Sequence, residues 1–311
     1  GLLAAFFTAF SYNFLFFSPN ILTEIPSAFF VLLAFYFFLN NRFFLMGLFS
    51  GIAVMTRLFH VFTLIGLFLI FFFYFLGKPN FHKKLFYAAL GLLITIIPYF
   101  LLDYYLYKDM LLPFKTQSHL TRTTGWIMYK EYGFYFAGLF KENLFLISLL
   151  FLPFVFKRNY KFYTIALSPL IYIIIFSFVK HKEMRFMIVI LPFLYLLTSY
   201  CLTKIYFKIK HRRLALVFFY VVIAIWLGTT FISFKDIVLY KYQRDDKGFM
   251  YFQDYLKNNK GDVWITNPLY ALYSDGKING LLYFYSYDNL INFIGKNKDN
   301  VNIVLFNSCD I

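Results

Sequence analysis

Long apolar runs separated by short polar breaks dominate the chain up to about residue 234. A helix needs about 20 apolar residues to cross a hydrocarbon core of roughly 30 Å. The runs predicted to enter the membrane are Gly1–Phe17, Ile21–Leu39, 43–57, 59–76, Leu85–Leu102, Asn143–Phe156, Tyr163–Val179, Met187–Leu202 and Leu214–Phe234. The pattern therefore predicts an all-α polytopic membrane protein, with a transmembrane helix bundle of about nine segments in residues 1–234.

One apolar stretch, residues 43–75, is too long for a single upright span at 1.5 Å per residue. Because Thr56-Arg57 and His60 interrupt it, we predict a short helix followed by a full one. The short helix measures about 22 Å, so Arg57 should lie below the membrane surface. A guanidinium there needs an anion or water, although it can also snorkel to the surface.

Composition narrows the class of protein further. The 311 residues are 61% hydrophobic and 25% aromatic, with 14% charged, which is far from the composition of a soluble domain. The formal net charge is +15, but charges cancel from residue 235 onward, so the excess lies in the membrane part. This excludes a basic soluble face for nucleic acid. Because Gly1 already lies inside an apolar run, we expect the chain to be truncated at its N-terminus.

The distribution of charge between alternate loops predicts the topology. One set of loops holds cations and no acid, which marks a cytoplasmic face: Arg42, Lys78, Lys83, Lys84, Lys157, Arg158, Lys161, Lys204, Lys208, Lys210, Arg212 and Arg213. The other set includes the long loop Asp103–Glu142 and carries every acid of the membrane part. A site that needs carboxylates should therefore lie on the extracytoplasmic face.

Residues 235–311 differ from the rest and are predicted to form a small, soluble α/β domain on the same outer face. Predicted helices cover 247–259 and 288–294, and predicted strands cover 263–266, 281–285 and 301–306. We find no phosphate loop or catalytic pairing in it. Because the chain ends just after a strand-like run, this accessory domain is also expected to be truncated.

The strongest candidate for chemistry is the segment Lys-His-Lys-Glu-Met-Arg-Phe at residues 180–186, between two apolar runs. A solvated turn with snorkelling cations is the alternative interpretation. A helix begins here, so its free N–H groups should lie beside Lys182 and Arg185 and form a cradle for a phosphate. Glu183 would hold these cations in place or interact favourably with the helix dipole.

The order His-Lys-Glu-x-Arg-Phe resembles a stretch of the dolichyl-phosphate-mannose-dependent mannosyltransferases of GPI-anchor and lipid-linked oligosaccharide synthesis. These are multi-span enzymes of the GT-C superfamily. Ser18–Pro26, followed by Gly47-x-x-x-Gly51 and Thr56-Arg57, is similar to the corresponding region of GT-C enzymes, although a glycine pair more often marks close helix packing. The resemblance implies transfer of mannose from a polyprenyl-phosphate donor to a glycan, lipid or protein acceptor on the extracytoplasmic face.

The resemblance and the charge pattern together define the predicted site. The expected donor-phosphate ligands are Arg57, His181, Lys182 and Arg185, with Glu183 and His60 in support. Glu24 is the best visible catalytic carboxylate, although the resemblance implies that the main catalytic acid lies in an N-terminal loop missing from this chain. A capping charge at the start of a helix is the alternative for Glu24.

Contacts to the acceptor or sugar are expected from the long loop, at His119, Arg122, Trp126 and Glu131. Its aromatic residues could equally form a membrane-interface belt. The scattered histidines have no i, i+4 pair, so we expect no metal site and no cofactor apart from the donor. Two other functions fit part of the pattern: a transporter or flippase of lipid-linked sugars, and a non-catalytic assembly subunit.

Overall fold

The protein is described here from a computed structural model. The structure describes residues 1–17, 23–115, 118, 130–142, 144–155, 159–179, 182–209 and 212–242, with 254, 263–265, 280–281, 291–292, 295–296 and 303–305.

Helices account for nearly all of the described part of the chain up to residue 242. The α-helices are α1 (Leu2–Ala9), α2 (Tyr12–Phe17), α3 (Glu24–Leu39), α4 (Phe43–Thr56), α5 (His60–Phe75), α6 (Phe81–Tyr107), α7 (Phe134–Glu142), α8 (Leu152–Val155), α9 (Tyr160–Phe178), α10 (Leu191–Lys208) and α11 (Arg212–Tyr242). Two 3₁₀ helices cover Leu144–Phe151 and Met184–Val189. The predicted helix bundle is thus confirmed in its main elements.

Two described helices, α6 with 27 residues and α9 with 19, are long and apolar enough to cross a membrane. Along α6, large apolar side chains such as Phe86, Ile94 and Leu101 are exposed on the outside of the bundle. Exposed apolar surface on this scale is typical of a face covered by lipid or by a partner. Helices α3, α4 and α5 are apolar but shorter.

The predicted division of residues 43–75 is confirmed. Helix α4 ends at Thr56 and α5 begins at His60, and Arg57 between them has an extended backbone with φ −156° and ψ 114°. The Arg57 amide still donates to the Ala53 carbonyl, so the helix is closed before the chain turns away. The link therefore places the Arg57 side chain at the end of a short helix.

The predicted span Asn143–Phe156 is corrected by the structure. Its described residues form the 3₁₀ helix Leu144–Phe151 and then the four-residue α8, rather than one membrane helix. Pro153 supplies the physical reason, since it has no N–H and its ring clashes with the carbonyl four residues earlier in a continuous α-helix. In the same way, the run predicted from Met187 begins inside the second 3₁₀ helix.

Helices α4 and α6 pack with their backbones in contact through glycines. A Cβ added to Gly47 would lie 1.9 Å from the carbonyl oxygen of Ala88, and one added to Gly91 would lie 2.1 Å from that of Phe44. Added to Gly51, it would lie within van der Waals overlap of the Thr95 hydroxyl. The pair Gly47-x-x-x-Gly51 therefore has the packing role that such pairs commonly have in membrane helices.

Three short parallel strands occur in the tail: β1 (Val263–Ile265), β2 (Gly280–Leu281) and β3 (Ile303–Leu305), in the order β2-β1-β3. Helix α11 continues to Tyr242, past the predicted boundary at 234, because no Gly or Pro follows Gly228 before residue 243. These fragments do not support a C-terminal α/β domain by themselves, so that domain stays a prediction.

We expect Gly47→Ala to destabilise the protein, because its new methyl group meets the backbone of α6 and the helices must move apart. Overpacking of this kind costs about 1–3 kcal/mol. Thermal unfolding in detergent measures the change. Gly228→Ala is the matched control, since a Cβ there meets nothing within 4 Å and alanine favours a helix over glycine. A Gly47→Ala protein as stable as Gly228→Ala would contradict this packing.

Candidate active site

Three distant parts of the chain bring opposite charges together at one end of the bundle. Glu24 is the first residue of α3, Arg57 lies in the link between α4 and α5, and Arg185 lies in the second 3₁₀ helix. The Glu24 Oε1 atom is 2.6 Å from Arg57 Nη1 and 3.6 Å from Arg185 Nε. One carboxylate oxygen therefore lies close to two guanidinium groups.

Glu24 is the most deeply buried charged residue of this cluster. Its side chain is 2% exposed, compared with 16% for Arg57 and 33% for Arg185. Arg57 also reaches the residue before α3, because its Nη1 donates to Thr23 Oγ1 at 3.3 Å. Solvent exposure within the cluster therefore increases from the buried Glu24 carboxylate to the guanidinium of Arg185.

Glu183 is the second carboxylate, and it pairs with Arg185 through both of its oxygens. Arg185 Nε lies 2.5 Å from Glu183 Oε2, and Arg185 Nη2 donates to Glu183 Oε1 at 2.8 Å. Two parallel contacts of this kind match the planar fork of a guanidinium. Glu183 therefore contacts the Arg185 guanidinium through both carboxylate oxygens at the open side, and its supporting role stays a prediction.

Phe186 connects the two arginines to the aromatic core. Its ring centroid is 5.2 Å from Arg57 Cζ and 5.7 Å from Arg185 Cζ, within the range of cation–π contacts. The backbone is fixed as well, since the buried Tyr172 hydroxyl donates to the Phe186 carbonyl oxygen at 2.9 Å. Phe176 and Phe59 pack against the same ring. The 3₁₀ helix is thus held rigidly beside Glu24.

His60 lies behind the charged cluster and supports the start of α3. Its Nε2 atom is 2.5 Å from Ser27 Oγ, which in turn lies 2.6 Å from the Thr23 carbonyl oxygen and 2.9 Å from that of Glu24. His60 is 2% exposed, so it is not open to a ligand in this structure. Its contacts suit a role in supporting the first turn of α3, which carries Glu24.

Lys182 contacts the end of the long loop. The residue is buried, and its Nζ donates to the Lys130 carbonyl oxygen at 2.8 Å and lies 5.5 Å from the Tyr132 ring centroid. Burial lowers the pKa of this ammonium group. Lys182 therefore connects the end of the long loop to the motif, and a role as a phosphate ligand stays a prediction.

The remaining predicted residues fall into two groups. Glu131 is exposed just before α7, near the attachment point of Lys182. Four residues lie outside the described part of the chain: His119, Arg122, Trp126 and His181. The structure thus brings together Glu24, Arg57, Glu183 and Arg185, with His60 behind them.

Sequence reasoning missed the residues that fix these charges in place. Tyr172 and Ser27 each lie within an apolar run, where a hydroxyl needs a hydrogen-bond partner. A polar side chain inside an apolar run was the available signal, but the run alone does not reveal the partner. Among the described residues, no group of three or more histidine, cysteine or acidic side chains could hold a metal ion.

Comparison with known proteins places the chain in a family context. The sequence profile of the Alg9-like mannosyltransferase family matches residues 1–242, which include every residue of the cluster. Searches of curated proteins and of solved structures found no match.

We expect Glu24 and Arg57 to be strongly coupled in a double-mutant cycle of Glu24→Gln and Arg57→Gln. Removing one partner of a buried pair leaves the other charge uncompensated, which costs about 3–5 kcal/mol. The cycle should therefore show an interaction of at least about 1 kcal/mol in the free energy of unfolding.

The pair Asp109–Lys115 provides the matched control for that cycle. Lys115 Nζ lies 2.5 Å from Asp109 Oδ2, and this hydrogen bond, with the Leu111 amide, lowers the pKa of Asp109. Since this pair is solvent-exposed, its coupling should be close to zero. Equal coupling energies for the two pairs would show that burial of Glu24 does not strengthen its interaction with Arg57.

Proposed function

The chain belongs to the Alg9-like mannosyltransferase family, whose members are membrane-integral glycosyltransferases, and on that premise we propose that its donor is a polyprenyl-phosphate mannose of the dolichyl-phosphate type. We propose further that the acceptor is a glycan, lipid or protein on the extracytoplasmic face. The observation that supports this most is the convergence of Arg57 and Arg185 on the buried Glu24.

The chemistry of the donor explains why two arginines are needed. When the bond between the sugar and the phosphate breaks, the leaving phosphate gains negative charge. Cations fixed in advance stabilise that charge in the transition state more than they stabilise the ground state. Since the guanidiniums of Arg57 and Arg185 can supply this charge, the proposed reaction needs no metal ion or other cofactor.

Glu24 acts in this proposal as a positioning residue. With its carboxylate almost fully buried and facing two arginines, it is poorly placed to take a proton from an acceptor hydroxyl. It is well placed to hold both guanidiniums at a fixed separation before the donor binds. The general base for the acceptor is therefore assigned elsewhere, as the resemblance of the sequence implies.

Arg185 is the proposed primary ligand of the donor phosphate. It is the more exposed of the two arginines, and its fork is occupied by Glu183, which is itself 22% exposed. Two oxygens of a phosphate can accept from the same guanidinium fork that binds a carboxylate. The donor phosphate can therefore replace Glu183 on the fork, while Glu24 keeps the guanidinium in place from behind.

The surroundings suggest how the acceptor reaches the site. Lys182 fixes residue 130 beside the motif, so the loop that carries Glu131, with His119, Arg122 and Trp126, ends next to the cluster. We propose that these loop residues contact the acceptor or the sugar. The predicted accessory domain in 235–311 would contribute to acceptor docking, not to bond making.

The alternative of a transporter or flippase is not favoured, because the family that matches the chain consists of glycosyltransferases. A lipid-phosphate site would suit either function, but a transporter would not need to transfer the sugar. A nucleic-acid partner is not proposed, since the positive charge lies in the membrane part of the chain.

The decisive measurement is transfer of labelled mannose by the purified protein with an extract of membrane acceptors. We expect label to move from polyprenyl-phosphate-mannose and not from a nucleotide-linked mannose. Arg185→Ala should lower turnover about ten- to a hundred-fold, the range for lost charge-assisted contacts of roughly 1.5–3 kcal/mol. Arg185→Lys should also be impaired, because lysine keeps the charge but not the fork.

Arg42→Ala is the matched control, because this exposed arginine lies at the opposite end of α4. Its turnover should equal that of the wild type. Full activity of a well-folded Arg185→Ala protein would exclude the proposed phosphate ligand, whereas transfer from the nucleotide-linked sugar alone would exclude the proposed donor class.

The proposed sidedness predicts which loops react with an impermeant thiol reagent. Single cysteines introduced at Lys83 and Lys161 should be protected in intact cells, since their loops carry only cations. A cysteine at Glu131 should be labelled. The native Cys201 is buried and should stay unreactive in the folded protein. Labelling at Lys161 from outside would reverse the orientation.

A further inference from the structure

An apolar groove lies at the end of the bundle opposite to the arginine cluster. It is formed by α1, the last turns of α10 and the first turns of α11, and it has a volume of about 340 Å³. The walls include Leu202, Tyr206, Phe207, Leu216 and Phe219. Its size is in the range of ligand pockets, but its lining is almost entirely apolar.

A second apolar groove of about 350 Å³ lies beside the first. Leu3 and Thr203 line both grooves, so they form the ridge between them. The second groove continues along α9 and α10, past Phe162, Ile165 and Tyr200. Two neighbouring apolar grooves that share a narrow ridge match the shape of a lipid with two acyl chains.

Cations are close in the sequence to the groove residues of α10 and α11. Lys204 and Lys208 are one helical turn apart on α10, and Arg213 is in the first turn of α11. Lys208 and Arg213 are exposed, and neither side chain makes an ion pair or hydrogen bond with the described part of the chain. Lys204 Nζ lies 5.8 Å from the ring centroid of Tyr200, a residue of the second groove.

No acidic residue occurs in the sequence between Glu183 and Asp236, so the chain near the grooves offers these cations no carboxylate. Positive charge beside an apolar pocket between membrane helices fits an anionic lipid head group. Each such cation near a membrane surface contributes about 1 kcal/mol, which corresponds to about fivefold in affinity.

We propose that this end of the bundle binds one anionic glycerophospholipid with two acyl chains. One chain lies in each groove across Leu3 and Thr203, and Lys208 and Arg213 contact the phosphate of the head group. The bound lipid joins α1 to α9, α10 and α11, which otherwise leave these grooves between them.

This lipid differs from the sugar donor in its place on the molecule. Arg185 precedes α10, and the grooves lie at the end of that helix, which has 18 residues. A helix of that length measures about 27 Å. The proposal therefore does not depend on the donor or on the reaction proposed above.

The test uses the full chain, purified in detergent, and native mass spectrometry with added lipid. The probes are phosphatidylglycerol and phosphatidylcholine with identical acyl chains. We expect at least about tenfold tighter binding of phosphatidylglycerol, since two cations face the head group. Lys208→Gln and Arg213→Gln should each weaken its binding about fivefold. They should weaken binding of phosphatidylcholine less, because the choline cation offsets the charge of its phosphate. High salt should reduce the preference for phosphatidylglycerol over phosphatidylcholine.

Lys78→Gln and Lys83→Gln are the matched controls, since Lys78 lies in the turn between α5 and α6 and Lys83 lies in the first turn of α6. They should leave the preference intact. Equal binding of the two lipids, or an equal loss in the control variants, would overturn the proposal. So would displacement of phosphatidylglycerol by equimolar polyprenyl phosphate, because the grooves would then belong to the donor.

As a check on the grooves themselves, Thr203→Trp should fill the ridge between them. It should weaken binding of both lipids while mannose transfer continues, because Thr203 is far along α10 from Arg185. Unchanged lipid binding in Thr203→Trp would show that the acyl chains lie elsewhere.

Discussion

The ion pairing of the buried Glu24 carboxylate is the interaction on which the end of the bundle that carries the arginine cluster depends. A charge removed from water is stable only when it is paired, and here the partners come from two other parts of the chain. Arg57 arrives at the end of a short helix, and Arg185 arrives in a 3₁₀ helix that precedes α10. Glu24 thus ties three elements together and leaves one guanidinium facing outwards.

The geometry of this ion cluster follows from how closely the helices pack. Glycines allow α4 to pack against the backbone of α6. This contact fixes the position of α4 and therefore of Arg57 at its end. Gly66 similarly lets α5 approach α9, since a Cβ there would lie 2.8 Å from Ser168 Cα. Aromatic rings around Phe176 and Phe186 fill the space between these helices and the motif. Dense packing of this kind makes small displacements costly and keeps the two guanidiniums at a fixed separation.

The two ends of the bundle have opposite chemistry. At one end, arginines are balanced by carboxylates and are partly buried, so their charge is positioned but not free. At the other end, cations have no acid nearby in the sequence and stand beside apolar grooves. The first arrangement suits a ligand that must bind and leave during each reaction. The second suits a lipid that stays bound as part of the structure.

The sequence by itself indicated a membrane helix bundle, because apolar runs of about spanning length recur along the chain up to residue 234. It also predicted the break at Arg57 and identified Arg185 as a candidate ligand, because a few charges in an apolar chain are conspicuous. Tertiary structure alone decided that Glu24 faces both arginines, that Lys182 holds the long loop, and that Gly47 packs against α6. Hydropathy indicates whether a side chain is apolar, but it does not indicate which helix that side chain packs against. Helix packing decides which residues distant in the chain come into contact, and these contacts are visible only in the folded protein.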